Sequence, residues 1–315
     1  MTDTAPAFPR EADGRGRFVR QQSAFRDWVT ADGSSGFPAE AGRYHLYVSL
    51  ACPWASRALI VRKLKRLEEA IGLTVVDPLR DERGWRFTAE EPDPVNGFAY
   101  LSEAYVATNP RFDGRVTVPV LWDKRRGVIV NNESAEIVRM LNSAFDALPG
   151  VAADLDLYPE PLRAEIDALN ERIYETVNNG VYRAGFATTQ EAYEEAFDAL
   201  FDSLDWLEKL LAGRRYLTGD RITEADWRLF VTLVRFDPVY VGHFKCNLRR
   251  IADQPNLYGY LRDLYQQPGI AQTVDFDHIK RHYYMTHPSI NPTRIVPKGP
   301  EIDLTGPHGR ERLGG

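Results

Sequence analysis

The stretch Leu50-Ala51-Cys52-Pro53-Trp54-Ala55 constrains the fold more than any other, because it places a cysteine and a proline where a strand pattern gives way to a helix. Upstream, Tyr44-His45-Leu46-Tyr47-Val48-Ser49 has the aromatic and β-branched content of a strand. Downstream, Ile60, Leu64, Leu67 and Ile71 recur at i, i+4, i+7 and i+11, which predicts a helix over residues 54–71 with one apolar face. Pro53 pre-sets φ for the first helical residue. A thiol just ahead of it lies at the positive end of the helix dipole, beside N–H groups with no intrahelical acceptor. Helix N-terminal cysteines reach pKa values of roughly 3.5–7.5 against about 8.5 for the free residue. Cys52 is therefore the candidate nucleophile; the competing reading is a small buried hydrophobe.

Gly72 is expected to end the helix, and Leu73-Thr74-Val75-Val76 to open a second strand, giving strand, helix, strand. Arg62, Lys63, Lys65 and Arg66 read as a solvated helix face. Residues 78–114 break into Pro, Gly, acidic and aromatic residues, a loop long enough to imply an accessory role. Strand signals resume over 116–122, with Pro119 inside, and at Val128-Ile129-Val130 after a turn at 124–127. Proline in a sheet belongs on an edge, or in a cis bend that aims backbone groups at a ligand. Asn131-Asn132-Glu133-Ser134 then leads into a helix through Ile137, Val138 and Leu141.

Beyond Pro149-Gly150 the pattern is helical throughout. Leu162, Ile166, Leu169, Ile173 and Val177 form one stripe, and Tyr193, Phe197, Leu200, Leu204, Leu207 and Leu211 another. Thr223-x-x-Asp226 is a capping box that starts a third helix, and shorter helices are expected at 257–265 and 270–282. The organisation is an arm at 1–42 held by Phe18, Phe25 and Trp28, an α/β domain at 43–146 with the 78–114 insertion, a linker at 147–158, an all-helical domain at 159–285, and a proline-rich tail at 286–315.

A net charge of −6 with no basic domain argues against nucleic acid as a partner. No apolar run approaches the roughly 20 residues that span a bilayer, so no integral membrane segment is expected. Two cysteines, Cys52 and Cys246, cannot build a disulfide framework, and residues 1–20 hold no apolar run; the expected setting is a reducing cytoplasm. His243-x-x-Cys246 with His282 and His287 has metal-ligating residue types, but without the spacing of a structural zinc site, and no metal is expected.

A β-α-β unit with Cys-Pro at its helix start, followed by a strand pair containing Val118-Pro119, resembles the thioredoxin-like fold. Glu133-Ser134 and a helical half with Leu217-Thr218-Gly219-Asp220 ahead of Thr223-x-x-Asp226 extend the likeness to the glutathione transferases: an α/β thioredoxin-like N-terminal domain plus an all-α C-terminal domain. Within that family, Ala51-Cys52-Pro53-Trp54-Ala55, Gly84-Trp85, the stretch 179–187, Val241-Gly242-His243-Phe244-Lys245-Cys246-Asn247 and Ile279-Lys280-x-His282-Tyr283-Tyr284 resemble the glutathionyl-hydroquinone reductases of the Xi class. Arg183 stands where that family is expected to carry lysine.

The resemblance implies glutathione as co-substrate and a Cys52–glutathione mixed disulfide. It implies that the Val118 backbone binds the cysteinyl unit and that Glu133 and Ser134 take the γ-glutamyl end. It also implies that Trp85 packs on the tripeptide and that Arg115 is placed to reach it. It implies Tyr182, Tyr240 and Tyr283 as candidates to hydrogen-bond the hydroquinone, with Tyr182 and Tyr283 as candidate proton donors, and a homodimer is expected. Each residue has a plainer reading: Trp85 as a loop anchor, Arg115 as a solvated charge, the tyrosines as amphipathic core. Ala55 occupies the position where a dithiol oxidoreductase carries its resolving cysteine, so an external thiol is required. The alternatives are an omega-like cysteine transferase acting on dehydroascorbate or mixed disulfides and, more remotely, a non-catalytic ligand-binding module.

Overall fold

The computed structural model describes residues 12–313, so the first eleven residues of the expected arm, Pro6 and Pro9 among them, and the last two of the tail lie outside the described residues. The chain divides into two compact units. One comprises Gln21–Asp156 and Thr273–Thr286; the other comprises residues 12–20, Leu157–Gln272 and residues 287–313. The helical domain expected over 159–285 is thus cut short, because its last helix, Phe276–Thr286, clusters with the α/β unit. An amphipathic pattern specifies a buried face without specifying what buries it.

The α/β unit runs β1 (Tyr44–Val48), α1 (Pro53–Leu64), β2 (Ile71–Val75), α2 (Ser102–Thr108), β3 (Val120–Asp123), β4 (Val128–Asn131) and α3 (Ser134–Ser143). Its sheet has the order β2-β1-β3-β4, with β1 parallel to β2 and the other two pairings antiparallel. β1 is buried along its whole length, as suits a central strand covered on both faces.

Three local features depart from the sequence pattern. The helix ends at Leu64, because Arg66 adopts a left-handed φ of 55° and turns the chain, which leaves Ile71 and Gly72 to β2. Gly72 does not cap a helix. It pairs in register with His45, and a Cβ there would stand 2.3 Å from His45 Nδ1, so the glycine makes room for the imidazole. The basic cluster is only half solvated. Arg62 is buried and donates to the carbonyls of Ile71 (2.8 Å) and Glu68 (3.0 Å), closing the α1–β2 turn. Lys65 is fully buried, donates to Leu155 O at 2.8 Å and pairs with Asp146 at 2.7 Å, which ties down the linker.

The 78–114 insertion contains α2, seven residues too short to show a helical period. Buried Asp93 organises the loop before it, accepting from Tyr47 OH at 2.9 Å and from the backbone N–H groups of Val95, Asn96 and Phe98. Of the expected arm anchors, Phe25 packs edge-on against Tyr105, whereas Trp28 is 38% exposed and its neighbour Val29 is buried instead.

The second unit contains α4 (Arg163–Ile173), a wide turn at Tyr174–Asn178, α5 (Gly180–Gly185), α6 (Gln190–Leu211), α7 (Glu224–Arg235), a second wide turn at Phe236–Tyr240, and α8 (Pro255–Tyr265). α9 (Phe276–Thr286) is the helix that joins the α/β unit. The capping box forms as the spacing predicts, with Asp226 accepting from Thr223 N at 2.7 Å. The described part of the proline-rich tail is anchored at Leu304 and Arg310. Arg310 is buried and donates to the carbonyls of Leu211, Arg214, Arg215 and Asn256, which takes up acceptors at the end of α6, just beyond it and in the first turn of α8.

Candidate active site

Cys52 is the N-cap of α1, with extended backbone (φ −79°, ψ 121°) and Pro53 as the first helical residue. Its N–H donates to Ser49 O at 3.1 Å, and its carbonyl accepts from Ser56 N at 3.0 Å, so the backbone on both sides is fixed by the end of β1 and the first turn of α1. The thiol is partly exposed, and Sγ lies 3.5 Å from the carbonyl oxygen of Val118. The Val118–Pro119 peptide is cis, the second of the two placements that the sequence left open for Pro119. Inside the turn, Ala55 is fully buried and the Arg57 guanidinium lies 4.4 Å from the Trp54 ring centroid. A thiolate at a helix N-terminus beside the backbone carbonyl that precedes β3 is chemically able to attack an electrophile presented there.

Glu133 and Ser134 stand at the start of α3. Glu133 is the N-cap, its carboxylate accepting from Ala135 N at 3.1 Å and from the hydroxyl of Ser23 at 2.9 Å, while Ser134 is buried. Asn132, one residue earlier, donates to Tyr105 OH and Thr117 Oγ1 and accepts from Phe25 N at 3.0 Å. Ser23 and Asn132 thus fix the acidic N-cap from arm and core, and neither was singled out from sequence. No spacing rule links residues 23 and 133; the run Asn131-Asn132 ahead of a helix was the available signal. Arg115 is partly exposed, with its N–H donating to Gln21 Oε1 at 3.0 Å.

Trp85, 4% exposed, is stacked on His282, with centroids 4.9 Å apart and planes at 21°. His282 Nδ1 donates to Pro78 O at 2.7 Å, and the buried Tyr283 ring stands edge-on to the imidazole at 5.4 Å. The α/β unit therefore brings Cys52 to Val118, and the insertion residues Pro78 and Trp85 to His282 of α9.

Tyr182 and Tyr240 meet in the second unit, with centroids 6.1 Å apart. Phe244 joins both, stacked on Tyr240 within 6° of parallel, and Phe186 packs on Tyr182 and Phe244. A Cβ on Gly185 would lie 2.1 Å from the Phe244 ring, so this close approach needs glycine. The arm completes the cluster: Phe18 stacks on Phe186, and Arg20 lies 4.9 Å from the Tyr182 centroid while donating to Asn179 Oδ1 at 3.0 Å. Phe18 was expected to anchor the arm, but its place among these tyrosines was not legible from sequence. Arg183, the departure from the family pattern, is spent on Glu175 at 2.5 Å.

The metal-type residues are used otherwise. His243 Nε2 and His287 Nδ1 share a hydrogen bond at 3.0 Å, His282 is engaged by Pro78, and burial pushes the Cys246 thiol well above its ordinary range. Among the described residues no three His, Cys, Asp or Glu side chains converge as metal ligands would.

The family model for the glutathione S-transferase N-terminal domain matches residues 51–144, and that for the C-terminal domain residues 190–263. The chain is 58% identical over 306 residues to glutathionyl-hydroquinone reductase YqjG of Escherichia coli K12, covering 94% of this chain and 93% of the relative. It is 57% identical to glutathionyl-hydroquinone reductase PcpF of Sphingobium chlorophenolicum, with 92% of each chain covered. The glutathione-bound structure of YqjG superposes with a TM-score of 0.89, covering 91% of this chain and 96% of that one. The glutathione S-transferase Xi of Phanerochaete chrysosporium does so at 0.90, with 55% identity and 94% and 96% coverage. A thioredoxin-like unit with Cys-Pro at its first helix, a helical unit and full-length likeness of this degree have one explanation: the chain belongs to the Xi-class glutathione transferases, the glutathionyl-hydroquinone reductases.

Proposed function

We propose that this protein reduces glutathionyl-hydroquinones to hydroquinones with glutathione, through a mixed disulfide on Cys52. The observation that carries the reading is a partly exposed thiol at the N-cap of α1, 3.5 Å from Val118 O, with buried Ala55 three residues on where a second thiol would resolve the intermediate. The thiolate attacks the glutathionyl sulfur. An S–S bond forms as the sulfur–ring bond breaks, and the electron pair of that bond passes to the ring carbon, which takes up a proton and leaves as hydroquinone. Free glutathione then attacks the mixed disulfide, releasing oxidised glutathione and restoring the Cys52 thiolate. One conjugate and one glutathione yield one hydroquinone and one oxidised glutathione.

In this reading the Val118 backbone, Glu133 and Ser134 hold glutathione, with Trp85 and Arg115 beside it. The N-terminus of α3 suits a carboxylate. Tyr182, Tyr240 and Tyr283 hold the hydroquinone oxygens, and one of Tyr182 and Tyr283 supplies the single proton to the ring. A homodimer and a cytoplasmic setting belong to the same proposal and rest on the family resemblance and on two cysteines kept as thiols.

The test is a single turnover with a glutathionyl-hydroquinone and no free glutathione, quenched in acid and read by intact mass. One glutathione on Cys52 with one hydroquinone released is the expected result. Hydroquinone release without that adduct would overturn the scheme.

A further inference from the structure

His282 grips the Trp85 loop in two chemically separate ways. A carbonyl can only accept, so the 2.7 Å contact with Pro78 O fixes the proton on Nδ1 and ties α9 to the start of the insertion. The face of the same ring stacks on Trp85, whose indole also has the Arg80 guanidinium 5.3 Å from its centroid. Both His282 and Trp85 are buried, and the next residue along α9 is Tyr283, itself buried against the imidazole.

We propose that His282 is a positioning residue that holds Trp85 by its ring face and, through the Nδ1–H bond to Pro78 O that fixes α9, keeps Tyr283 in place, setting glutathione affinity through the first contact and turnover through the second. The inference rests on the reading above, in which Trp85 packs on glutathione and Tyr283 serves the hydroquinone. His282 is not itself assigned a contact with either substrate. A stacked ring limits how far the indole tilts, and a buried donor on a buried carbonyl limits how far α9 slides.

The two contacts can be removed separately. His282→Phe keeps a ring against Trp85 and loses the donor; His282→Asn keeps an N–H near the Nδ1 position and loses the ring. Steady-state kinetics with glutathione and a glutathionyl-hydroquinone should split accordingly. His282→Phe lowers kcat about tenfold with glutathione KM within about twofold of wild type, and His282→Asn raises glutathione KM about tenfold with kcat within about threefold. In a Trp85→Ala background, His282→Asn should add no further rise in KM.

Equal effects of both variants on kcat and KM, or full additivity with Trp85→Ala, would overturn the inference. So would the absence of any effect beyond twofold. Near-UV circular dichroism checks folding, and His282→Gln, which also keeps a donor, takes the place of His282→Asn if that variant does not fold. Loss of the underlying reading looks different: wild type would be inactive on the conjugate, or Trp85→Ala would leave glutathione KM unchanged.

Discussion

Cys52 Sγ and the carbonyl oxygen of Val118 lie 3.5 Å apart, one at the N-cap of α1 and the other on the approach to β3, although 66 residues separate them in the chain. The thiol donates to that carbonyl, which ties the N-cap of α1 to the cis-proline bend ahead of β3. A serine hydroxyl is shorter but keeps the same donor. Cys52→Ser is therefore expected to melt within about 2 °C of wild type, since surface-accessible substitutions that keep their hydrogen bond cost little. Deglutathionylation should fall at least about a thousandfold, because an alkoxide is not available to attack sulfur at neutral pH. Thermal melting and hydroquinone release measure the two arms; turnover close to wild type would remove Cys52 from the chemistry.

Ala55 sits one turn beyond Cys52 and is fully buried. A thiol at this position turns the site into a dithiol pair able to resolve its own mixed disulfide. In Ala55→Cys at limiting glutathione, the adduct on Cys52 should fall at least about tenfold, replaced by an internal disulfide two hydrogens lighter. Intact-mass spectrometry reads both species, and an undiminished adduct would show that position 55 cannot reach the sulfur.

The pairing of Gly72 with His45 leaves no space for a side chain. Gly72→Ala is expected to cost about 1–3 kcal/mol, as overpacking between two strands does. Urea unfolding measures it, and an unchanged midpoint would mean that the imidazole yields freely.

Asp226 joins the capping box to the rest of the helical unit. Beyond Thr223, it accepts from Leu217 N at 2.9 Å and from Tyr260 OH at 2.8 Å, all of it buried. Asp226→Ala strands several buried donors and should cost at least about 3 kcal/mol, well above the roughly 1 kcal/mol of losing a helix cap alone. Asp226→Asn, which keeps one acceptor oxygen, should lose less in the same urea titration.

Burial pushes the pKa of both His45 and His243 down to about 4. A histidine with a depressed folded pKa binds a proton more readily once unfolded, so its stabilising contribution is complete above about pH 6.5 and drains as pH falls toward 4. Between pH 7 and pH 5 the unfolding free energy should drop by about 2 kcal/mol for each. Replacing His45 with Gln should flatten that slope by its own share, which urea titrations at the two pH values would reveal; an unchanged slope would mean that His45 takes up its proton in the folded protein.

Local chemistry written in consecutive residues was legible without coordinates. The strand before Cys52, the proline after it, the turn between β3 and β4, the α3 start at Glu133-Ser134 and the Thr223 capping box all depend on neighbours within a few positions, where propensity and hydrogen-bond reach act directly. Together they carried the thioredoxin-like and all-α halves and the family resemblance. Contacts that close over long loops were decided only by the tertiary structure. Lys65 and Arg62 are charged side chains that read as surface, yet carbonyls at Leu155 and Ile71 make them part of the interior. α9 carries an amphipathic pattern that any apolar surface could satisfy, and it joins the α/β unit, where His282 meets Pro78 and Trp85. Residue type and position made Cys52 the candidate nucleophile; which groups surround it depends on packing between segments whose separation in sequence leaves no periodic trace.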